Sequence, residues 1–340
     1  AGNRRCVKST YAMTYAMEEI ISIVCEAVDS LRIERRPRAL YEPVEYALAC
    51  GGKRLRPTLT LLAYNLWRDD VREALTPALA LETYHNYTLL HDDLMDNADV
   101  RRGRPTVHRR WDANTAILSG DAMLTYAMHL MTQVADRHLR PLVELLTVTA
   151  LEVCEGQQYD MDFETRDDVT EDEYMEMIRL KTSVLLAAAL KAGAVMADAS
   201  AEDIANLYAF GEKLGLAFQL QDDYLDVYGD PTTFGKRIGG DILCGKKTFM
   251  LINAMRMADA VQRAELGRLL ASQPEADADQ EAKVAAVTHI YNILGVADIA
   301  KDRMRRCYEE AMESLARVTV DDERKAPLRE FASRLMTREK

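Results

Sequence analysis

The chain has 340 residues, 48% hydrophobic and 29% charged, which is enough apolar mass for a soluble globular protein with a sizeable core. Its net charge of −12 argues against nucleic acid as a partner, so any anionic ligand needs locally clustered cations or a bridging metal. No apolar run approaches the ~20 residues of a membrane span. The polar, basic start Ala1–Thr10 has no apolar run to make a signal peptide. Cys6, Cys25, Cys50, Cys154, Cys244 and Cys307 form no C-x-x-C pair, so reduced thiols in a cytoplasmic protein are expected.

Sparse glycine (16) and proline (9), with abundant Ala, Leu, Met and Glu, favour an all-α chain. After a loosely ordered segment 1–10, helices are expected from near residue 11 to the C-terminus. Apolar residues recur at helical spacing, as in Leu55, Leu59, Leu62 and Leu66, and again in Ile204, Leu207, Tyr208 and Leu214. No alternating pattern of convincing length and no Asn-Gly or Asp-Gly turn predicts a strand hairpin. Breaks fall at 36–38, 51–52, 97–106, 165–170, 229–245 and 272–279. None is a long linker, so a single domain spanning 1–340 is expected.

Along the chain, the first chemical signal is Gly51-Gly52-Lys53-Arg54-Leu55-Arg56-Pro57, three cations in four residues after a glycine turn. Glycines allow close backbone approach, and such cations fork onto phosphate oxygens. Alone, this is equally a basic loop before a helix. Next, Asp92-Asp93-x-x-Asp96 closes an apolar stretch, and Asp222-Asp223-x-x-Asp226 repeats it; from 92 to 222 the separation is 130 residues. On a helix, positions i and i+4 share a face, so Asp92 pairs with Asp96 and Asp222 with Asp226. Unpaired, these carboxylates repel one another. Mg²⁺ relieves that repulsion by taking one or two carboxylates plus phosphate oxygens. A solvated acidic helix end is the bland alternative, and the apolar stretch before each cluster argues against it. Arg101-Arg102 follows the first cluster, while Lys236-Arg237 and Lys246-Lys247 flank a glycine-rich loop after the second. An acidic chain thus sets cations beside both clusters, as a metal–diphosphate site requires.

These motifs, in this order, resemble those of the trans-isoprenyl diphosphate synthases, the polyprenyl synthetase family. The resemblance runs from about Leu40 to about Lys247 and includes His91 to Asp96, Arg101 to His108, Lys181-Thr182 and Phe218 to Asp226. It implies the isoprenoid synthase fold, a bundle of long antiparallel helices around a deep central cavity, in a homodimer. It also implies three Mg²⁺ ions, two bound by Asp92 and Asp96 and one by Asp222, with Asp93, Asp223 and Asp226 supporting them directly or through water. Arg101, Lys181 and Lys246, with Lys236, would hold an allylic diphosphate. Lys53, Arg56, His85 and Arg102 would hold isopentenyl diphosphate, and Thr182 and Gln219 would face the developing allylic cation. The loop Gly235–Gly245 and the basic tail would exclude water.

Product length is expected to be set below Asp92. Thr88 lies about 6 Å and Tyr84 about 12 Å down the helix on roughly its face, with Tyr87 between them and rotated further round. In the family an aromatic residue five positions before the first aspartate, here Tyr87, marks short-chain enzymes. The first motif also lacks a two-residue insertion, which resembles the archaeal geranylgeranyl type. A twenty-carbon product is expected, with fifteen carbons as the alternative and a longer chain as the more remote one. Among rivals, Glu82-x-x-His85 fits half of a ferritin-like di-metal motif, but no second histidine has a glutamate three residues before it. A non-catalytic partner subunit tends to lose aspartates that are complete here. A terpene cyclase has no use for a second diphosphate pocket.

Overall fold

The computed structural model describes residues 15–230 and 238–337. Within them nearly everything regular is helical. The helices are α1 (Met17–Ser30), α2 (Arg38–Leu48), α3 (Leu55–Asn65), α4 (Leu75–Met95), α5 (Val107–Arg110), α6 (Ala113–Met131), α7 (Asp136–Glu164), α8 (Glu171–Ile178), α9 (Val184–Met196) and α10 (Ala201–Tyr228). Helices Gly240–Cys244, Phe249–Met257, Ala260–Ala271, Asp277–Ile293, Val296–Ala316 and Asp322–Thr337 follow. The first described helix thus starts at Met17, and residues 11–14 lie outside the described part. The all-helix expectation needs one amendment, a two-residue antiparallel pair of β1 (Val100–Arg101) and β2 (Arg104–Pro105). Its turn residues Arg102 and Gly103 have φ of 52° and 75°. Without an Asn-Gly or Asp-Gly signal, this hairpin is not legible from sequence.

Local capping explains several boundaries. Asp112 accepts from the Thr115 amide at 2.8 Å to start α6. Thr170 and Glu173 form a reciprocal capping box before α8. The Ser200 hydroxyl accepts from the Asp203 amide at 3.1 Å to start α10. Burial then decides the arrangement. In α9 every residue from Val184 to Leu190 is buried, as befits a helix apolar all round, and it packs against α3, α7 and α10. The 28-residue α10 spans two core clusters, with Leu207, Phe210 and Leu214 in one and Leu216, Leu220 and Val227 in the other. It lies along the helix Val296–Ala316, while α4 lies along α6. Among the described residues no helix is long and apolar enough to cross a membrane.

One ion pair is part of this core. Arg54, at φ 47°, turns its guanidinium inward to Glu82 at 2.6 Å and to the Leu48 carbonyl at 2.6 Å. Asn86 donates to the same Glu82 carboxylate at 3.1 Å. Both charged side chains are almost wholly buried. Of the three cations after the glycine turn, Arg54 is therefore structural, and Glu82 is occupied as its partner. Removing one member of a buried pair leaves the other charge uncompensated. Arg54→Ala should lower unfolding free energy in urea titration by about 3–5 kcal/mol. A loss below about 1 kcal/mol, the range of exposed pairs, would contradict this account.

Candidate active site

The first carboxylate cluster ends α4. Asp92 faces the Lys181 amine at 3.5 Å, and that amine also meets Asp160 of α7 at 2.6 Å. Asp93, one position on, is turned into the fold, where Arg101 donates to its Oδ1 from Nε at 2.7 Å and Nη2 at 2.6 Å. Arg101 stays 4.0 Å from Asp92. Burial and the charge of Asp92 raise the Asp96 pKa, against the pull of Lys246 and Lys181. Lys246 shows the reciprocal effect. Burial disfavours its charge, but Asp160, Asp241, Asp96 and Asp92 together raise its pKa.

The second cluster ends α10 and repeats the pattern. Asp222 is half-buried, on the same helix face as Asp226. Asp223 is fully inside, where it accepts from the Tyr174 hydroxyl, from the Phe249 amide at 3.1 Å and from Gln219 Nε2 at 3.3 Å. Burial, reinforced by Asp241, pushes its pKa up to about 7, with the three donors opposing. Gln219 also receives the Thr182 hydroxyl at 3.1 Å, so Thr182, Gln219, Asp223 and Tyr174 form one chain of contacts. Asp226 accepts from the Asp241 amide at 3.0 Å and so holds the start of Gly240–Cys244. In both clusters the middle aspartate is an anchor rather than a group on the open face.

The β1–β2 hairpin splits its two arginines. Arg101 goes to the carboxylates, whereas Arg102 reaches the Gly51 carbonyl and lies on Gly52. A Cβ on Gly52 would sit 2.5 Å from the Arg102 guanidinium carbon, and its φ of +123° is itself a glycine conformation. Arg56 lies behind, with a buried Nε that has no hydrogen-bond partner among the described residues. Desolvation, opposed by Glu82 and reinforced by Arg102, lowers its pKa to about 10. The His85 pKa is pushed well below its ordinary value by burial and then by Arg56, Arg102, Arg101 and Arg54. Four guanidiniums thus act on one point, and a buried donor remains unsatisfied there. This is the electrostatic form of an anion site. Lys53 is exposed at its edge.

Below Asp92, Tyr84 is fully buried and its hydroxyl approaches the Ala150 carbonyl of α7 at 3.5 Å. The Tyr87 ring is 5.6 Å from Tyr84 and edge-on to His91 at 4.8 Å. Thr88 donates its hydroxyl to its own helix, at the His85 carbonyl, 2.8 Å. The two tyrosines therefore make a continuous aromatic step between α4 and α7.

Asp160, Tyr174 and Asp241 are residues that sequence reasoning missed. Asp160 hides among other acids near the end of α7, and a tyrosine on an amphipathic helix carries no signal. Lys236 lies outside the described residues, as do 235 and 237 of the expected covering loop. The described end of that loop is held by Asp226 and by Lys283, which donates to the Leu243 carbonyl at 3.4 Å. The expected tail is packed as far as it is described, with Phe331 and Leu335 buried. Among the described residues no three His, Cys, Asp or Glu side chains converge to hold a metal ion unaided. The donors present are carboxylate oxygens one helical turn apart, with Asp96 under-neutralised. They fit Mg²⁺, which completes its shell with water and phosphate oxygens.

The helical fold and its paired carboxylate motifs are those of the isoprenoid synthase class of transferases. Residues 37–288 match the family described as polyprenyl synthetase. The geranylgeranyl diphosphate synthase of Methanosarcina mazei is 39% identical over 297 residues, covering 86% of this chain and 92% of its own. A crystal structure of a geranylgeranyl pyrophosphate synthase superposes with a TM-score of 0.91 at 40% identity, over 96% of this chain and 100% of the other. A further one, from Corynebacterium glutamicum in complex with isoprenyl diphosphate and magnesium, gives 0.82 at 27% identity over 95% and 98%. The chain belongs to the polyprenyl synthetase family.

The anchoring of Asp223 has a direct consequence. Tyr174→Phe removes one donor to a buried carboxylate and should lower unfolding free energy by about 1.5–3 kcal/mol. Thermal and urea unfolding check this. Unchanged stability would show that the Tyr174 contact does not hold Asp223.

Proposed function

We propose that this protein is a short-chain trans-prenyltransferase that joins isopentenyl diphosphate to an allylic diphosphate and releases mainly geranylgeranyl diphosphate. The observation that carries this reading is the pairing of two unlike anion sites beside α4. One mixes carboxylates with Lys181, Lys246 and Arg101, and suits a diphosphate that arrives with metal. The other gathers the guanidiniums of Arg56 and Arg102 beside His85, with Lys53 at its edge, and suits a diphosphate that stays intact.

Arg101, Lys181 and Lys246, with Lys236, hold the allylic diphosphate. Asp92 and Asp96 would hold two Mg²⁺ ions and Asp222 a third, and these would supply the Lewis acidity that lets the carbon–oxygen bond ionise. Asp93, Asp223 and Asp226 support them through the contacts they make with Arg101, Tyr174 and the Asp241 backbone. Lys53, Arg56, Arg102 and His85 fix isopentenyl diphosphate so that its double bond faces the ionising carbon. The oxygens of Thr182 and Gln219 face the developing cation and stabilise it. No side-chain base is required, because the released diphosphate takes the proton. Exclusion of water protects the cation.

The enzyme is proposed to be a single isoprenoid synthase domain acting in the cytoplasm as a homodimer. Support for the dimer comes from an apolar face on α6 and α7, where Ile117, Leu118, Val148 and Leu151 are 46%, 60%, 51% and 66% exposed. A second copy is the occupant proposed for it.

Tyr84 and Tyr87 are proposed as the floor that stops elongation. Incubation with isopentenyl diphosphate, Mg²⁺ and five-, ten- or fifteen-carbon starters, followed by chromatography of the hydrolysed products, tests this. A twenty-carbon product is expected. Tyr87→Ala should lengthen it, and Tyr84→Ala in addition should lengthen it further. A fifteen-carbon or longer wild-type end product overturns the assigned length, and an unchanged distribution in both variants overturns the floor.

A further inference from the structure

Helix α8 does not run straight into α9. Arg179–Ser183 form a π-turn between them, with the Val184 amide donating to the Arg179 carbonyl five residues back. The Ser183 hydroxyl likewise reaches back five residues, to the Ile178 carbonyl at 3.4 Å. Such a turn is less favourable than continuous α-helix and is frequent at functional sites. Its effect here is local and specific. Adjacent residues of an α-helix diverge by about 100°, yet Lys181 and Thr182 both reach the site. The Lys181 amine meets Asp160 and Asp92, while the Thr182 hydroxyl meets Gln219.

Nothing in Arg179-Leu180-Lys181-Thr182-Ser183 forbids an ordinary helix, since it contains neither glycine nor proline. The neighbours supply what is special. Gly156 of α7 lies against this backbone, where a Cβ would stand 2.3 Å from the Lys181 nitrogen and 2.8 Å from the Leu180 carbonyl carbon. Gly215 of α10 lies against its end, where a Cβ would stand 2.6 Å from the Ser183 Cα. These are backbone atoms, so no rotamer change relieves the clash. The widened turn is thus gripped by α7 and α10 at two points where only glycine fits.

We propose that Gly156 and Gly215 are positioning residues, which hold the π-turn so that the Lys181 amine and the Thr182 hydroxyl stand together at the allylic end of the site. This rests on the assignment of Lys181 to the allylic diphosphate. The same fold contains a comparator that is packing alone. Gly211, one helical turn before Gly215, meets the regular helix α9, where a Cβ would stand 2.7 Å from the Ala187 Cα.

The test measures kcat, both Michaelis constants and thermal unfolding for Gly156→Ala, Gly215→Ala, Gly211→Ala, Lys181→Ala and the Gly156→Ala/Lys181→Ala double variant. Lys181→Ala should raise the allylic KM selectively; if it does not, the assignment of Lys181 fails, and the proposal with it. Given that effect, Gly156→Ala and Gly215→Ala should raise the allylic KM about ten-fold or more while barely moving the isopentenyl KM, as fits a group displaced by about an ångström. Gly211→Ala should lower stability without that selectivity. In the double variant, Gly156→Ala should add little to the allylic KM of Lys181→Ala, because both act through one amine. Additive effects, or one common profile for all three glycine variants, would overturn the positioning role. So would failure of both Gly156→Ala and Gly215→Ala to fold, which would make the two glycines packing residues only.

Discussion

The rest of the site depends on how charge is balanced at one end of the bundle. Asp92 and Asp96 share a helix face, and Asp222 and Asp226 share another, inside a chain that is already acidic. The first cluster is partly neutralised by borrowed cations: Lys181 bridges Asp92 and Asp160, and Arg101 covers Asp93. Burial, and then the charge of Asp92, still raise the Asp96 pKa against the pull of Lys246 and Lys181. About two turns back along α4 the imbalance has the opposite sign: Arg56 and Arg102 lie beside His85 with no ion pair among the described residues, whereas Arg54 and Arg101 are matched by Glu82 and Asp93. Two sites with opposite deficits are the proposed physical basis for taking two diphosphates and treating them differently. Low dielectric around buried groups strengthens both deficits.

The scaffold meets the cost of this arrangement with contacts remote from any substrate. Arg54 and Glu82 satisfy each other in the core, which leaves Arg56 outside that ion pair. Tyr174, the Phe249 amide and Gln219 hold Asp223, which fixes the end of α10 and so the direction of Asp222. Asp226 ties the same helix end to Gly240–Cys244, and Lys246 follows immediately. The motif residues are therefore divided between chemistry and its support, even within five consecutive positions.

Much of this was legible from the sequence, because it is carried by residue type and spacing. Helical periodicity predicts an all-α chain, and the breaks at 51–52, 97–106 and 165–170 fall where α2, α4 and α7 end. Paired aspartates with clustered cations beside them mark the two helix ends that carry the acidic groups. What was not legible depends on rotation and depth. Spacing places Asp93 and Asp223 off the open face but does not say that Arg101 and Tyr174 receive them. Asp160 is one acid among several until the fold brings Lys181 to it. The hairpin that separates Arg101 from Arg102 rests on an arginine at positive φ, which no turn motif announces. The π-turn is equally silent, because its cause lies in Gly156 and Gly215 on other helices.

The central claim is that the carboxylate site binds diphosphate only together with Mg²⁺. The direct measurement is calorimetric titration of inorganic diphosphate into the protein, with and without Mg²⁺, for wild type and Asp92→Ala. Charge balance predicts binding at least ten-fold tighter with Mg²⁺ in the wild type, and loss of that gain in Asp92→Ala. Equal affinity with and without Mg²⁺ in the wild type, or a full gain retained in Asp92→Ala, would contradict it.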